Sequence, residues 1–225
     1  MAPTTLLGLL LLQAVAWKEL GLKLASERKL EPAADALAKA CEQAPQDEDA
    51  CYYLARTLYT LGRYEEAGEP FAKALRAAPK EILGRVHRAV ALNFTALNRP
   101  GDAERHFREA LRLGSDSDPR IDYGAFLFRQ GRLEEALPLL EQAVQAVPGS
   151  ARAHTELGRV LLHLGKREAA AGSLEKAVQL DPGSPAARLL LGKTYLELGR
   201  TGDGERQLRL GRAGWKQSYD SSTAK

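Results

Sequence analysis

A spacing of 34 residues recurs along this chain and restricts it to a repeat fold. Pro45 and Pro79 stand 34 apart, and so do Pro148 and Pro182. Each proline closes the same pattern. Ala33, Leu37 and Ala40 precede Pro45; Ala67, Phe71 and Ala74 precede Pro79. Ala136, Leu140 and Ala143 precede Pro148; Ala170, Leu174 and Ala177 precede Pro182. Small and large apolar residues return at one phase. A unit of this length cannot bury its apolar face alone, so it stacks on its neighbours as a solenoid.

Each unit reads as two helices. In the second, Leu54, Ala55 and Leu58 form an apolar stripe at helical spacing. Gly62 suits a left-handed helix end. Tyr64-Glu65-Glu66-Ala67 is predicted to open the next helix, with its acids where the helix dipole favours them. Pro79 then stops it. The sequence repeats as Gln130-Gly131-Arg132-Leu133-Glu134-Glu135-Ala136 and as Leu164-Gly165-Lys166-Arg167-Glu168.

These residues resemble the tetratricopeptide repeat family, whose first helix carries Leu-Gly followed by an aromatic or large apolar residue. Leu20-Gly21 with Leu24, Tyr123-Gly124 with Leu127, Leu157-Gly158 with Leu161 and Leu191-Gly192 with Tyr195 fit it. The resemblance covers about residues 14–218. It implies an all-α fold, an α-α superhelix (solenoid) of about six helix-turn-helix units at 14–47, 48–81, 82–116, 117–150, 151–184 and 185–218. It also implies a right-handed stack with first helices on the concave side. The third unit departs from the pattern by about two extra residues after Pro79, and Pro70 and Pro138 fall early in second helices. The sixth reads as degenerate, with Gly204 and Gly211 where alanine recurs. Residues 219–225 read as a polar, disordered tail.

Met1–Ala16 admits two readings. Leu6–Leu12 is a short apolar run and Ala14-Val15-Ala16 has the small–x–small form of a signal-peptidase site, though no Lys or Arg precedes the run. The other reading is an apolar N-terminal cap on the array. An export signal would place the protein in the periplasm or outside the cell; otherwise it is cytoplasmic. The membrane is then met only through an uncleaved N-terminal segment. Cys41 and Cys51 are the only cysteines and flank the turn at Ala44–Gln46. They read either as a disulfide, which an oxidising compartment would form, or as two small buried apolar residues.

Nothing in the sequence assembles a catalytic, cofactor or metal site. The four histidines, His87, His106, His154 and His163, form no HExxH arrangement, and no GxSxG elbow is present. Gly192-Lys193-Thr194 imitates the end of a phosphate loop, but Ala187 stands where that loop needs glycine. The chain therefore reads as non-enzymatic.

In the family, ligand contacts come from first-helix faces. Mapped here, that face holds Lys18, Tyr52, Arg56, Tyr59, Arg85, Arg88, Phe128, Arg129, Arg152, Thr155, Arg159, His163 and Lys193, with Asp49, Asp118 and Glu197 as its acids. Eight Lys or Arg against three acids exceed the whole chain's net charge of +3. The expected function is a protein-interaction scaffold holding an acidic or carboxylate-bearing peptide or protein in a basic groove, with bacterial envelope assembly as a setting. The bland alternative is a solvated face whose arginines pair with acids of the neighbouring unit. A self-associating array and a polyanion- or RNA-binding repeat are the other readings; no fixed side-chain pair per unit favours nucleic acid.

Overall fold

The computed structural model describes the backbone at residues 3–114 and 118–223, and side chains at 11–47, 49–114 and 118–215. The described residues form twelve α-helices and no strand. The chain divides into two compact units, Met1–Pro119 and Arg120–Lys225. The first contains α1 (Pro3–Ser26), α2 (Leu30–Gln43), α3 (Glu48–Thr60), α4 (Gly68–Ala77), α5 (Lys80–Ala96) and α6 (Pro100–Leu113). The second is built from α7 (Pro119–Arg129), α8 (Leu133–Ala146), α9 (Ala151–His163), α10 (Arg167–Leu180), α11 (Pro185–Glu197) and α12 (Thr201–Thr223).

One small–large pair locks the two helices of each repeat. Gly21 faces Leu37, Gly124 faces Leu140, Gly158 faces Leu174 and Gly192 faces Leu208; a Cβ at any of these glycines would lie 2.5–2.8 Å from the leucine Cγ. In the second and third repeats the same positions hold Ala55 with Phe71 and Ala91 with Phe107, all buried. The tight approach leaves room for only a small residue on the first helix, which is why the Leu-Gly signature recurs.

The turn inside each repeat is also fixed. Gly62, Gly131, Gly165 and Gly199 have φ between 72° and 78°, the left-handed conformation that ends a helix. Arg28 (φ 60°) and Asn98 (φ 54°) occupy the same place in the first and third repeats. Turns between repeats are capped by side chains where the sequence supplies them. Asp47, Ser150 and Ser184 accept from the backbone N–H of Ala50, Ala153 and Ala187, satisfying a donor the helix cannot.

Several features differ from the sequence reading. The second helix of repeat two begins at Gly68, not at Tyr64. Pro70 has no N–H to donate to Glu66, so the turn before it does not close as helix. The backbone at Tyr64–Ala67 forms turns instead, and Asn93 Nδ2 donates to the Tyr64 carbonyl at 3.0 Å. Pro138 by contrast sits inside α8. The extra residues of repeat three lengthen α5, which has 17 residues against 13 in α3. Helix α12 runs to Thr223, so the backbone at 219–223 is helical where a disordered tail is expected. Gly204 and Gly211 are not decay of the repeat. A Cβ at Gly204 would meet Leu196 Cδ2 at 2.7 Å and the Gly192 carbonyl at 3.0 Å, and one at Gly211 would meet Leu189 Cγ at 2.9 Å. Helices α11 and α12 simply cross closer.

Helix α1 is continuous from Pro3, with Ala14 buried and Leu12 and Val15 exposed. Most of the apolar run at Leu6–Leu12 lies outside the described side chains. No helix among the described residues is long and apolar enough to cross a membrane. Cys41 of α2 and Cys51 of α3 are joined as a disulfide, with Cα atoms 4.8 Å apart. They sit in the core of the first unit, where Trp17 packs against the same cluster.

Candidate functional site

In the first unit, helical spacing collects five of the mapped residues around one pocket. Tyr52, Arg56 and Tyr59 lie at i, i+4 and i+7 on α3, and Arg85 and Arg88 at i, i+3 on α5, so each set shares a helix face. Helices α3 and α5 are neighbours, and the space between these faces is a pocket of about 330 Å³. Phe71 reaches it from α4, while Ala89 and Leu92 line it from α5. None of these last three is legible as a site residue from sequence, because each reads as core.

Tyr52 is the centre of this arrangement. Its ring is buried, at 4% exposure, with the Arg85 guanidinium 4.9 Å and the Arg56 guanidinium 5.6 Å from its centroid. Both distances suit cation–π attraction. Burial raises the pKa of the Tyr52 hydroxyl against the opposing pull of Arg56, Arg85 and Arg88, so it stays a donor at neutral pH. Arg56 is exposed and makes no ion pair among the described residues.

Most other mapped cations have a carboxylate beside them. Lys18 Nζ is 2.6 Å from Asp47, Arg85 is 3.4 Å from Asp49, Arg159 is 3.3 Å from Glu156 and Lys193 is 3.9 Å from Glu197. Arg152 bonds to the carboxylate of Asp122, which is 2% exposed. Two of these pairs follow one rule: an acid in the first helix of one repeat meets an arginine in the first helix of the next (Asp49 with Arg85, Asp122 with Arg152). The positive surplus counted along the sequence is therefore compensated locally at many positions. Arg129 is exposed at the end of α7, and His163 stands edge-on to Phe128 at 4.9 Å. Thr155 is buried and donates to the Ala151 carbonyl. Asp118 lies beside α7 outside any helix.

Sequence reading also missed a histidine pair. His87 Nδ1 and His106 Nδ1 are 2.8 Å apart between α5 and α6, with the Phe94 ring tilted against that of His106 at 5.5 Å between centroids. The two residues are 19 apart in sequence, a spacing that matches no local motif. Among the described residues no group of three or more His, Cys, Asp or Glu is placed to hold a metal ion.

Paired helices locked by a small–large contact, turned by a left-handed residue and repeated six times define a helical-repeat protein of the helix-turn-helix kind. The tetratricopeptide repeat models match residues 89–151 and 126–185 in one version, and 24–92 and 165–213 in another. The chain belongs to the tetratricopeptide repeat family. It is 35% identical over 117 residues to the type IV pilus assembly protein PilF of Pseudomonas aeruginosa, covering 50% of this chain and 45% of that one. The chain spans less than half the length of the curated relatives it matches. The solved structure of Pseudomonas aeruginosa PilF superposes with a TM-score of 0.68 at 28% identity, covering 74% of this chain and 76% of that one. PilW, a type IV pilus biogenesis factor, superposes with a TM-score of 0.79 at 20% identity over 94% of this chain and 97% of its own, which shows the fold.

Proposed function

We propose that this chain is a protein-interaction scaffold that holds an acidic or carboxylate-bearing peptide segment against its first-helix faces. The observation that carries this reading is the convergence of Arg56, Arg85 and Arg88 with Tyr52 and Tyr59 on one pocket. Arginine forks pair with carboxylates in two parallel bonds, and the tyrosines supply rigid contact area at small entropic cost. Lys18, Arg129, Arg152, Arg159, His163 and Lys193 then act as secondary contacts outside this pocket, with several already committed to local ion pairs. Likeness to a type IV pilus assembly protein supports a role in assembling a bacterial envelope complex. An exported setting agrees with that role, with the apolar start at Met1–Ala16 and with the Cys41–Cys51 bridge.

The test is a pull-down from an extract of the source cell, with wild-type protein beside an Arg56→Glu, Arg88→Glu, Arg159→Glu variant of equal melting temperature. The expected result is a partner retained by the first and lost by the second. The same partner on both would mean that the charge is a solvated face and that binding lies elsewhere. A steep salt dependence with no preference among proteins would favour the polyanion reading instead.

A further inference from the structure

Helix α4 is short, and its missing turn leaves a hole. It has 10 residues where α2, α6, α8 and α10 have 14, because Pro70 keeps the turn before it from closing as helix. Between α4, α5 and α6 lies a pocket of about 210 Å³. Phe71, Leu75, Val90 and Phe94 wall it, and Gly68 and Ala72 are too small to fill it. A Cβ at Gly68 would meet nothing within 4 Å. Asn93 also lines the pocket and is 3% exposed. Its Nδ2 donates to the Tyr64 carbonyl, which fixes the amide, and its Oδ1 accepts no hydrogen bond among the described residues. The occupant that suits this lining is one aromatic side chain with an N–H to donate. An apolar cavity of about 150 Å³ holds a benzene ring, so the pocket has room for an indole.

Helix α12 carries such a side chain. Gly204, Leu208 and Gly211, spaced four and three apart, form the face of α12 that packs on α11. Trp215 is the next position of that face, four residues on. Helix α11 stops beneath it: a Cβ at Gly214 would already lie 3.2 Å from Cγ of Pro185, the first residue of α11. The packing face of α12 therefore outruns its partner. Trp215 is 56% exposed, and no other aromatic side chain among the described residues is so open. We infer that Trp215 of one copy docks in the α4–α5–α6 pocket of a second copy, with its indole N–H toward Asn93 Oδ1. Charge agrees with this pairing. Glu65 is exposed three residues before Gly68 and makes no ion pair among the described residues, and Arg212 is exposed one helical turn before Trp215. Knob and hole are different patches, so the contact is heterologous and one copy can donate while it accepts. Arg56, Arg85 and Arg88 lie outside this lining, and the inference goes beyond the groove reading.

The experiment is sedimentation of the full chain over a range of concentrations, with tryptophan emission recorded in a Trp17→Phe background, where Trp215 is the only tryptophan left. Sedimenting mass should rise with concentration, and the emission should move to the blue in step with it. Trp215→Ala removes the knob, and Gly68→Leu plugs the hole from a position with open space around it. Each should weaken association about tenfold or more, as the loss of an aromatic anchor does. Leu210→Ser, which removes an apolar side chain that is 44% exposed on another face of α12, should not. Thermal melts establish that the variants are folded, and Trp215 is exposed, so its loss leaves no cavity. Mixing Trp215→Ala with Gly68→Leu should restore association between the two, since each keeps the half that the other lacks. A monomer at every concentration, blue emission that dilution does not change, equal weakening by Leu210→Ser, or no restoration on mixing overturns the contact. None of these results touches the groove reading, whose pull-down depends on Arg56, Arg88 and Arg159.

Discussion

Single residues in this chain are set by what surrounds them more than by their type. His106 shows this. Burial between α5 and α6, with the charge of His87 adding to it, pushes its pKa from the usual 6.5 down to about 4. His87 is lowered for the same leading reason, against an opposing pull from Glu109. A base whose folded pKa lies below its unfolded one binds its proton more readily when unfolded. Stability is therefore full above pH 6.5 and falls as the pH drops from 6.5 toward 4. The whole shift would correspond to about 3 kcal/mol; with the ring half exposed and screened, about 1–2 kcal/mol is the realistic loss. The expected outcome is a melting temperature that declines over that window in wild type and declines less in His106→Gln. Parallel profiles for the two proteins would show that the pair does not carry the effect.

At the scale of the helix pair, glycine has two opposite roles, and the structure separates them. Gly158 in α9 lies under Leu174, whose Cγ would stand 2.5 Å from an added Cβ. Gly172 in α10 has nothing within 4 Å of the same position. Gly172→Ala should stabilise by up to about 1 kcal/mol, the helix-propensity gain. Gly158→Ala makes the same gain but must displace Leu174, and should destabilise by about 1–2 kcal/mol net. Urea unfolding of the two variants checks this, and equal stabilisation of both would contradict the helix crossing described here. This contact is also why the fold was legible in the sequence. Gly21, Gly124, Gly158 and Gly192 recur with their leucines because the crossing admits nothing larger, and the period follows from that constraint. The start of α4 was not legible, because the acids at Glu65-Glu66 and the missing N–H of Pro70 point to different boundaries and only the backbone decides. At the site, helical spacing foretold that Tyr52, Arg56 and Tyr59 share a face. It could not show that Arg152 is held by a buried Asp122, since that pairing crosses between helices 30 residues apart in sequence.

At the scale of the whole molecule, a repeat protein is stabilised by contacts between neighbours, so a local change need not be felt throughout. The chain offers a direct test, because its two tryptophans fall in different compact units. Trp17 packs on the core cluster that contains Cys41 and Cys51, with Lys39 Nζ 4.2 Å from its ring centroid. Trp215 lies in α12 of the second unit. The bridge closes a short loop and should contribute about 2–3 kcal/mol by restricting the unfolded chain. A Cys41→Ser, Cys51→Ser variant, followed through Trp17 in a Trp215→Phe background, should therefore unfold at lower urea than its bridged parent. Followed through Trp215 in a Trp17→Phe background, the transition should move little. A bridge that is absent in solution would leave the Trp17 transition where it was, and mass measurement after thiol labelling would then find two reactive cysteines. Equal shifts at both tryptophans would mean instead that the two units unfold as one cooperative block. Mechanical or ligand-induced strain in the first unit would then reach the second, and binding at the Tyr52 pocket would stabilise the entire array.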